Sequence, residues 1–145
     1  MIRNFTETDR EIFLSMAESF YSSDAVAHNV DTRNFEITFD TVMNKSPFAS
    51  AFMVEESGEP IGYALLSFTY SNEVGGMVVL IEELYINELH RGKGYASKFF
   101  EFLQHEYPSA KRFRLEVRKD NQKAIALYQR LEYSTFEYIQ MVKDM

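Results

Sequence analysis

Apolar positions repeat at three to four residues in some stretches of the chain and at two in others. Ile2 to Phe5 reads as a short first strand. Ile12, Phe13, Met16, Ala17 and Phe20 then recur at helical intervals, with Thr8 and Glu11 at capping-box spacing, and predict a helix ending near Tyr21. Ser22 to Asp31 is polar and unpatterned. Phe35, Phe39, Val42 and Met43 predict a second helix that stops at Ser46-Pro47, although Ile37, Thr38 and Thr41 would also suit a strand.

From Ala49 the period changes to two. Phe52 and Val54 alternate into the turn Glu56-Ser57-Gly58-Glu59-Pro60, and Ile61 to Tyr70 returns as the second arm of an antiparallel hairpin. Ser71 to Gly76 is another turn. Met77 to Ile86 is the most apolar strand, which suits a central position, and only Glu82 and Glu83 interrupt it. Gly92 to Tyr107 reads as a helix with Ala96, Phe99, Phe100 and Leu103 on one face. Phe113, Leu115 and Val117 alternate with Arg112, Arg114 and Glu116 as a strand. A helix opens at Asn121 with Ala124, Leu127, Tyr128 and Leu131 inward, and Tyr133 to Val142 reads as a closing strand. The predicted order is β-α-α-β-β-β-α-β-α-β, an α/β chain with a mixed sheet of about six strands flanked by about four helices. The helix between two strands at Gly92 to Tyr107 requires at least one parallel pair.

At 145 residues the chain can bury one core, so the expectation is a single domain over residues 1–145. The net charge of −7 speaks against a nucleic-acid surface, which needs a basic stripe. The absence of cysteine excludes disulfides, thiolate metal sites and sulfur nucleophiles, so an acyl group carried on sulfur must come with a cofactor. No His/Asp/Glu spacing suggests a metal. Met1 to Glu11 is polar rather than basic and then apolar, and the Met77 to Ile81 run is too short to cross a bilayer. A soluble cytoplasmic protein with no membrane or nucleic-acid partner is expected.

Arg91-Gly92-Lys93-Gly94-Tyr95-Ala96 lies between the most apolar strand and a helix. Its glycines free the backbone to bend with amides pointing one way, and the helix N-terminus adds partial positive charge, so a phosphate or pyrophosphate could sit there. A plain basic turn from strand to helix fits the spacing equally well. The loop lacks both the P-loop pattern and the third glycine of the dinucleotide fingerprint. Ile81 to Ile86 followed by Arg91-x-x-Gly94-x-Ala96 resembles the acetyl-CoA motif of the GNAT superfamily of N-acetyltransferases. Asn121-x-x-Ala124-x-x-x-Tyr128-x-x-x-Glu132-Tyr133 is similar to that family's second segment, except that Glu132 stands where the family commonly has Gly.

The resemblance implies the GNAT fold and acetyl-CoA as co-substrate, with no metal. It implies that the pyrophosphate lies on backbone amides of Arg91, Gly92, Lys93, Gly94, Tyr95 and Ala96, with the Ser97 hydroxyl nearby. The pantetheine arm would pair with Leu84, Tyr85 and Ile86, and Asn121, Ala124 and Tyr128 would meet the cofactor from the last helix. It further implies that Glu82 takes the proton from the acceptor ammonium, often through water, and that Tyr128 protonates the leaving thiolate. Residue chemistry alone leaves plainer uses open: rim charges for Glu82 and Glu83, core packing for Tyr128, an N-cap for Asn121. Neighbours on a strand ordinarily face opposite sides, so only one of the two glutamates is expected to enter a given cleft.

Acceptor specificity in the family usually comes from the first two helices and their connection, here Phe20 to Phe39. Tyr21, His28, Asp31 and Glu36 are polar candidates there, with Glu83 and Glu116 on the strands lining the cleft. A lone His28 also reads as a solvated loop residue. The resemblance implies a primary-amine acceptor and leaves open whether it is a small molecule (polyamine, amino sugar or amino acid) or a peptide. A CoA-binding sensor or partner-binding module without catalysis is the alternative. The aromatic segment Tyr133 to Tyr138 leaves a homodimer open.

Overall fold

In a computed structural model, which describes residues 1–145, the chain forms a five-stranded mixed sheet with helices on both faces. β1 (Ile2–Asn4), β2 (Ala49–Glu56), β3 (Glu59–Ser71) and β4 (Gly76–Ile86) pair antiparallel in succession, and β5 (Arg112–Leu115) joins β4 in parallel. α1 (Arg10–Tyr21) and α2 (Arg33–Met43) precede β2, so the 33–43 segment is helical despite its β-branched residues. α3 (Tyr95–Glu106) is the crossover from β4 to β5, and α4 (Gln122–Arg130) follows β5.

Each face of the sheet carries its own core. Phe13, Phe39, Met53 and Tyr63 meet under α1 and α2, while Phe52, Leu66, Phe99 and Leu103 meet under α3. β2 supplies both by alternation, Ala51 and Met53 to the first and Phe52 to the second. Burial on two faces explains why the middle strands read as nearly continuous apolar runs.

Three expectations are corrected. The first cap is built by Thr6 and Asp9 rather than Thr8 and Glu11. The Thr6 amide donates to Asp9 Oδ2 (2.7 Å), and a single 3-10 turn (Glu7–Asp9) leads into α1. The sixth strand is absent, because no backbone hydrogen bond joins residues beyond Tyr133 to the sheet and β5 pairs only with β4. Side chains fasten this tail instead. The Phe136 ring lies over the guanidinium groups of Arg112 (4.8 Å) and Arg114 (5.5 Å), and the Tyr138 hydroxyl donates to Glu73 (3.1 Å). Ile139, Met141 and Val142 are left exposed. The third correction, the facing of the two β4 glutamates, belongs to the site.

The unusual Glu132 proves to be a strained cap. Tyr133 N donates to Tyr128 O (2.9 Å) and Glu132 N to Gln129 O (3.1 Å), the pair of bonds that closes a helix through a left-handed residue, and Glu132 has φ 68°. A side chain in that conformation costs on the order of 1 kcal/mol. Glu132→Gly therefore raises stability by about 1 kcal/mol, less the entropy that glycine adds to the unfolded chain. Urea denaturation measures this, and an unchanged midpoint would show that the cap carries no strain.

Candidate active site

The sheet opens where β4 and β5 part. Their ladder runs from Val78 opposite Arg112 to Ile81 opposite Leu115 and ends there, so the β5-facing edge of β4 from Glu82 to Ile86 has no strand beside it. A cleft of about 810 Å³ occupies this gap, within the range of small-molecule and cofactor sites. Leu84, Tyr85 and Ile86 line it from β4; Leu115, Glu116 and Val117 line it from the other side.

At one end of the cleft is the loop before α3. Gly92 (φ 74°) and Gly94 (φ 84°) both hold left-handed conformations that other residues rarely adopt. The first α3 amide to find a backbone acceptor is Lys98, bonded to Gly94 O (3.1 Å), so the amides of Tyr95, Ala96 and Ser97 have no such partner. Unpaired amides at a helix N-terminus fit a phosphate or diphosphate. Arg91, Gly92, Gly94, Tyr95, Ala96 and Ser97 all border the cleft, whereas the exposed Lys93 does not. The Arg91 guanidinium donates to Ile86 O (2.8 Å), fastening the loop to the end of β4.

The two glutamates share a face, contrary to simple alternation. Leu65 pairs with Glu83 and Leu66 with Ile81, so Glu82 is an extra residue, a β-bulge in β4. Ile81 and Leu84 pack in the α3 core, while Glu83 bonds to Tyr63 of the α1/α2 core. Glu82 turns the same way and accepts from the Ser67 hydroxyl (2.5 Å), remaining exposed at the cleft. Glu83 is buried and accepts from Tyr21 (2.5 Å) and Tyr63 (2.6 Å). Burial pushes its pKa up, the two hydroxyls oppose that, and the Glu82 charge adds to the rise.

The last helix brings its face to the opposite wall. Asn121 caps α4 by accepting from Ala124 N (3.2 Å), and both residues border the cleft with Tyr128. The Tyr128 ring packs edge-on against Phe100 (5.7 Å between centroids). Burial alone raises its hydroxyl pKa, with no charged or hydrogen-bonding neighbour contributing.

Of the residues expected to meet an acceptor, Glu116 borders the cleft; Tyr21 and Glu83 lie bonded to each other outside its lining, and His28 is an exposed loop residue that does not line it. Sequence reasoning missed Asp24 and Arg118. Both line the cleft, and Arg118 donates to Val26 O (3.0 Å), joining the α1–α2 connection to the segment after β5. No short-range pattern signals this contact between residues so distant in the chain. No group of three or more His, Cys, Asp or Glu side chains could hold a metal ion, and no helix is long and apolar enough to cross a membrane.

A parallel strand pair splayed beside a helix N-terminus with unpaired amides gives an amide-bearing, phosphate-ended cofactor somewhere to lie, and the molecule is of the acyl-transferring class. The chain belongs to the acetyltransferase (GNAT) family, whose model matches residues 11–133, and is an acetyl-CoA-dependent N-acetyltransferase. Solved structures share the fold. A possible acetyltransferase from Clostridium difficile 630 superposes with a TM-score of 0.84 at 15% identity, covering 100% of this chain and 97% of the other. AAC(6')-Iy bound to the bisubstrate analog CoA-S-monomethyl-acetylneamine gives 0.81 at 15% identity, with coverage of 100% and 97%. The ribosomal-protein-alanine N-acetyltransferase of Brucella melitensis biovar Abortus 2308 gives 0.79 at 17% identity, with coverage of 100% and 98%. No curated protein sequence matches the chain.

Proposed function

We propose that the protein transfers the acetyl group directly to a primary amine, with Glu82 as the base and Tyr128 as the acid. The observation that carries this reading is the bulge: it turns Glu82 into the cleft at the point where the strands part, with the Tyr128 hydroxyl on the facing helix. The loop before α3 and the open edge of β4 fit acetyl-CoA, which supplies the activated acyl carbon and a sulfur leaving group. Amides of Arg91 to Ala96 would hold the diphosphate, with Ser97 beside them, and Leu84 to Ile86 would pair with the pantetheine amides. Asn121 and Ala124 would border the arm.

An alkylammonium has a pKa near 10.4, so roughly one molecule in a thousand or fewer is nucleophilic at neutral pH. Glu82 accepts the ammonium proton, directly or through water, and the free amine attacks the acyl carbon. Tyr128 gives its proton to the sulfur as the carbon–sulfur bond breaks, and the second proton lost by the nitrogen as the amide forms passes through water to restore the tyrosine. Holding both reactants in one cleft supplies much of the acceleration. Asp24, Glu82 and Glu116 border the cleft alongside Arg91, Arg118, Lys123 and Arg130, so the acids suit a cationic acceptor while the bases suit the phosphates of the cofactor. Small amines, including amino sugars, and peptide N-termini are the candidate acceptors, matching the span from acetylneamine to ribosomal-protein alanine named for the structural neighbours.

The test is release of free thiol from acetyl-CoA in the presence of polyamines, aminoglycosides, amino acids and N-terminal peptides. Release with at least one class is expected. Tight acetyl-CoA binding without release from any of them would overturn the reading in favour of a sensor. Glu82→Gln lowers kcat/KM by about tenfold to a hundredfold, at or below the low end of general-base effects because water can replace an exposed carboxylate. It also removes the acidic limb of the pH–rate profile, and a limb that persists would reassign the base.

A further inference from the structure

Gly92 and Gly94 pose a question of order. A Cβ built on either would meet nothing within 4 Å, so packing does not hold the loop in its left-handed conformations. Glycine also gives the loop the largest backbone entropy to lose. Something outside the loop must restrain it if its amides are to stand ready for a diphosphate.

Glu56, the last residue of β2, reaches both ends of the loop. Its Oε1 accepts from the hydroxyl of Tyr95, the first residue of α3, and its Oε2 lies 3.1 Å from Nε2 of His90, the residue before Arg91. Lys93 adds a favourable charge from the middle of the loop. The His90 contact also orients the ring: Nε2 lies beside Glu56, while Nδ1 is the only buried side-chain polar atom without a partner. Turning the ring over would take Nε2 away from Glu56. With Arg91 tied to Ile86 O, both ends of the loop are fastened and its middle is free to meet a ligand.

We infer that Glu56 is a positioning residue for the cofactor's diphosphate, holding the Arg91–Gly94 loop open through Tyr95 and His90 without touching the cofactor itself. The inference rests on the acetyl-CoA site proposed above. Nothing in the motif around the loop points to it, since Glu56 lies 39 residues before Tyr95 in the chain. Restraining the free loop lowers the entropy lost on binding and so shows in affinity rather than in chemistry.

Two donors separate this role from a general structural one: acetyl-CoA, and S-acetylpantetheine, which has the same thioester but no diphosphate. For Glu56→Ala, KM for acetyl-CoA rises about tenfold with kcat within about twofold, while kcat/KM for S-acetylpantetheine stays at the wild-type value. Glu56→Gln keeps one carbonyl acceptor for Tyr95 and falls between. Equal losses with both donors, or an unchanged KM for acetyl-CoA in both variants, would overturn the inference. Should the wild-type enzyme release no thiol from acetyl-CoA, the proposed function fails first, and direct titration with CoA then tests Glu56 alone. There, an affinity in Glu56→Ala equal to wild type would overturn it.

Discussion

Replacing Tyr128 with Phe lowers kcat by about a hundredfold or more and leaves the dissociation constant for acetyl-CoA within about twofold. The substitution keeps the ring that packs against Phe100 and Tyr133, so the wall of the cleft survives and only the hydroxyl is removed. That hydroxyl keeps its proton at neutral pH as any tyrosine does, and burial raises its pKa further. A tyrosine is a weaker acid than a thiol in water, where the two titrate near 10 and 8.5. Desolvation raises the proton affinity of a departing thiolate as well, so burial of both groups does not turn the balance further against transfer. Steady-state kinetics and CoA titration check the outcome. Unchanged turnover would remove the proton-donor role, and a parallel loss of CoA affinity would reduce Tyr128 to a packing residue. Because the acid must be protonated, the wild-type rate falls at high pH as Tyr128 ionises, and the variant loses that basic limb.

Most helices and strands were legible because each buries a face with its own period. Phe13, Met16 and Ala17 mark α1, and Ala51, Phe52 and Met53 mark a strand between two cores. Register was not legible. The bulge at Glu82 exists only as a mismatch between β3 and β4, so a rule of strict alternation put Glu82 and Glu83 on opposite faces. The tail failed for a related reason. Phe136 and Tyr138 alternate as in a strand, but a strand is defined by its partner's backbone, and here arginine side chains and Glu73 take that place.

The candidate site divides in the same way. The Arg91 to Ser97 loop and the Asn121, Ala124 and Tyr128 face are local arrangements, and the fold brings them to one cleft. The long-range ties were invisible: Tyr21 to Glu83, Arg118 to Val26, and Glu56 to the loop's two ends. Tyr21 and Glu83 were each recognisable as polar candidates, but their pairing changes what they do. The bond fastens the end of α1 to β4, next to Ser22, Ser23 and Asp24, which border the cleft. In the proposed mechanism Glu83 would then act through the cleft wall, while Glu82 would face the acceptor directly.

Arg3→Met destabilises the fold by about 3 kcal/mol, the lower end of the cost of breaking a buried ion pair, since the arginine side chain is 29% exposed. Arg3 holds two buried acids. Its terminal nitrogens reach both oxygens of Asp9 (2.8 and 3.0 Å), and Nε reaches Glu55 (2.6 Å), with Asp9 at 3% and Glu55 at 5% exposure. Methionine fills the space and leaves two buried carboxylates without their shared guanidinium, the N-terminal ammonium reaching only the Glu55 carbonyl. For a chain of this length about 3 kcal/mol corresponds to a fall in Tm of roughly 10 °C. The pH dependence separates lost charge from lost packing. The Arg3 hydrogen bond holds Asp9 below its ordinary value of 3.8, so its contribution is fully present above that value and disappears as pH falls through the lowered folded value. The gap in Tm between wild type and Arg3→Met therefore narrows when both are melted near pH 3 rather than pH 7. Adding Asp9→Asn to Arg3→Met removes one of the stranded charges and recovers part of the loss at pH 7. A gap that stays constant with pH and is not relieved by Asp9→Asn would mean that Arg3 stabilises the fold by packing its stem alone.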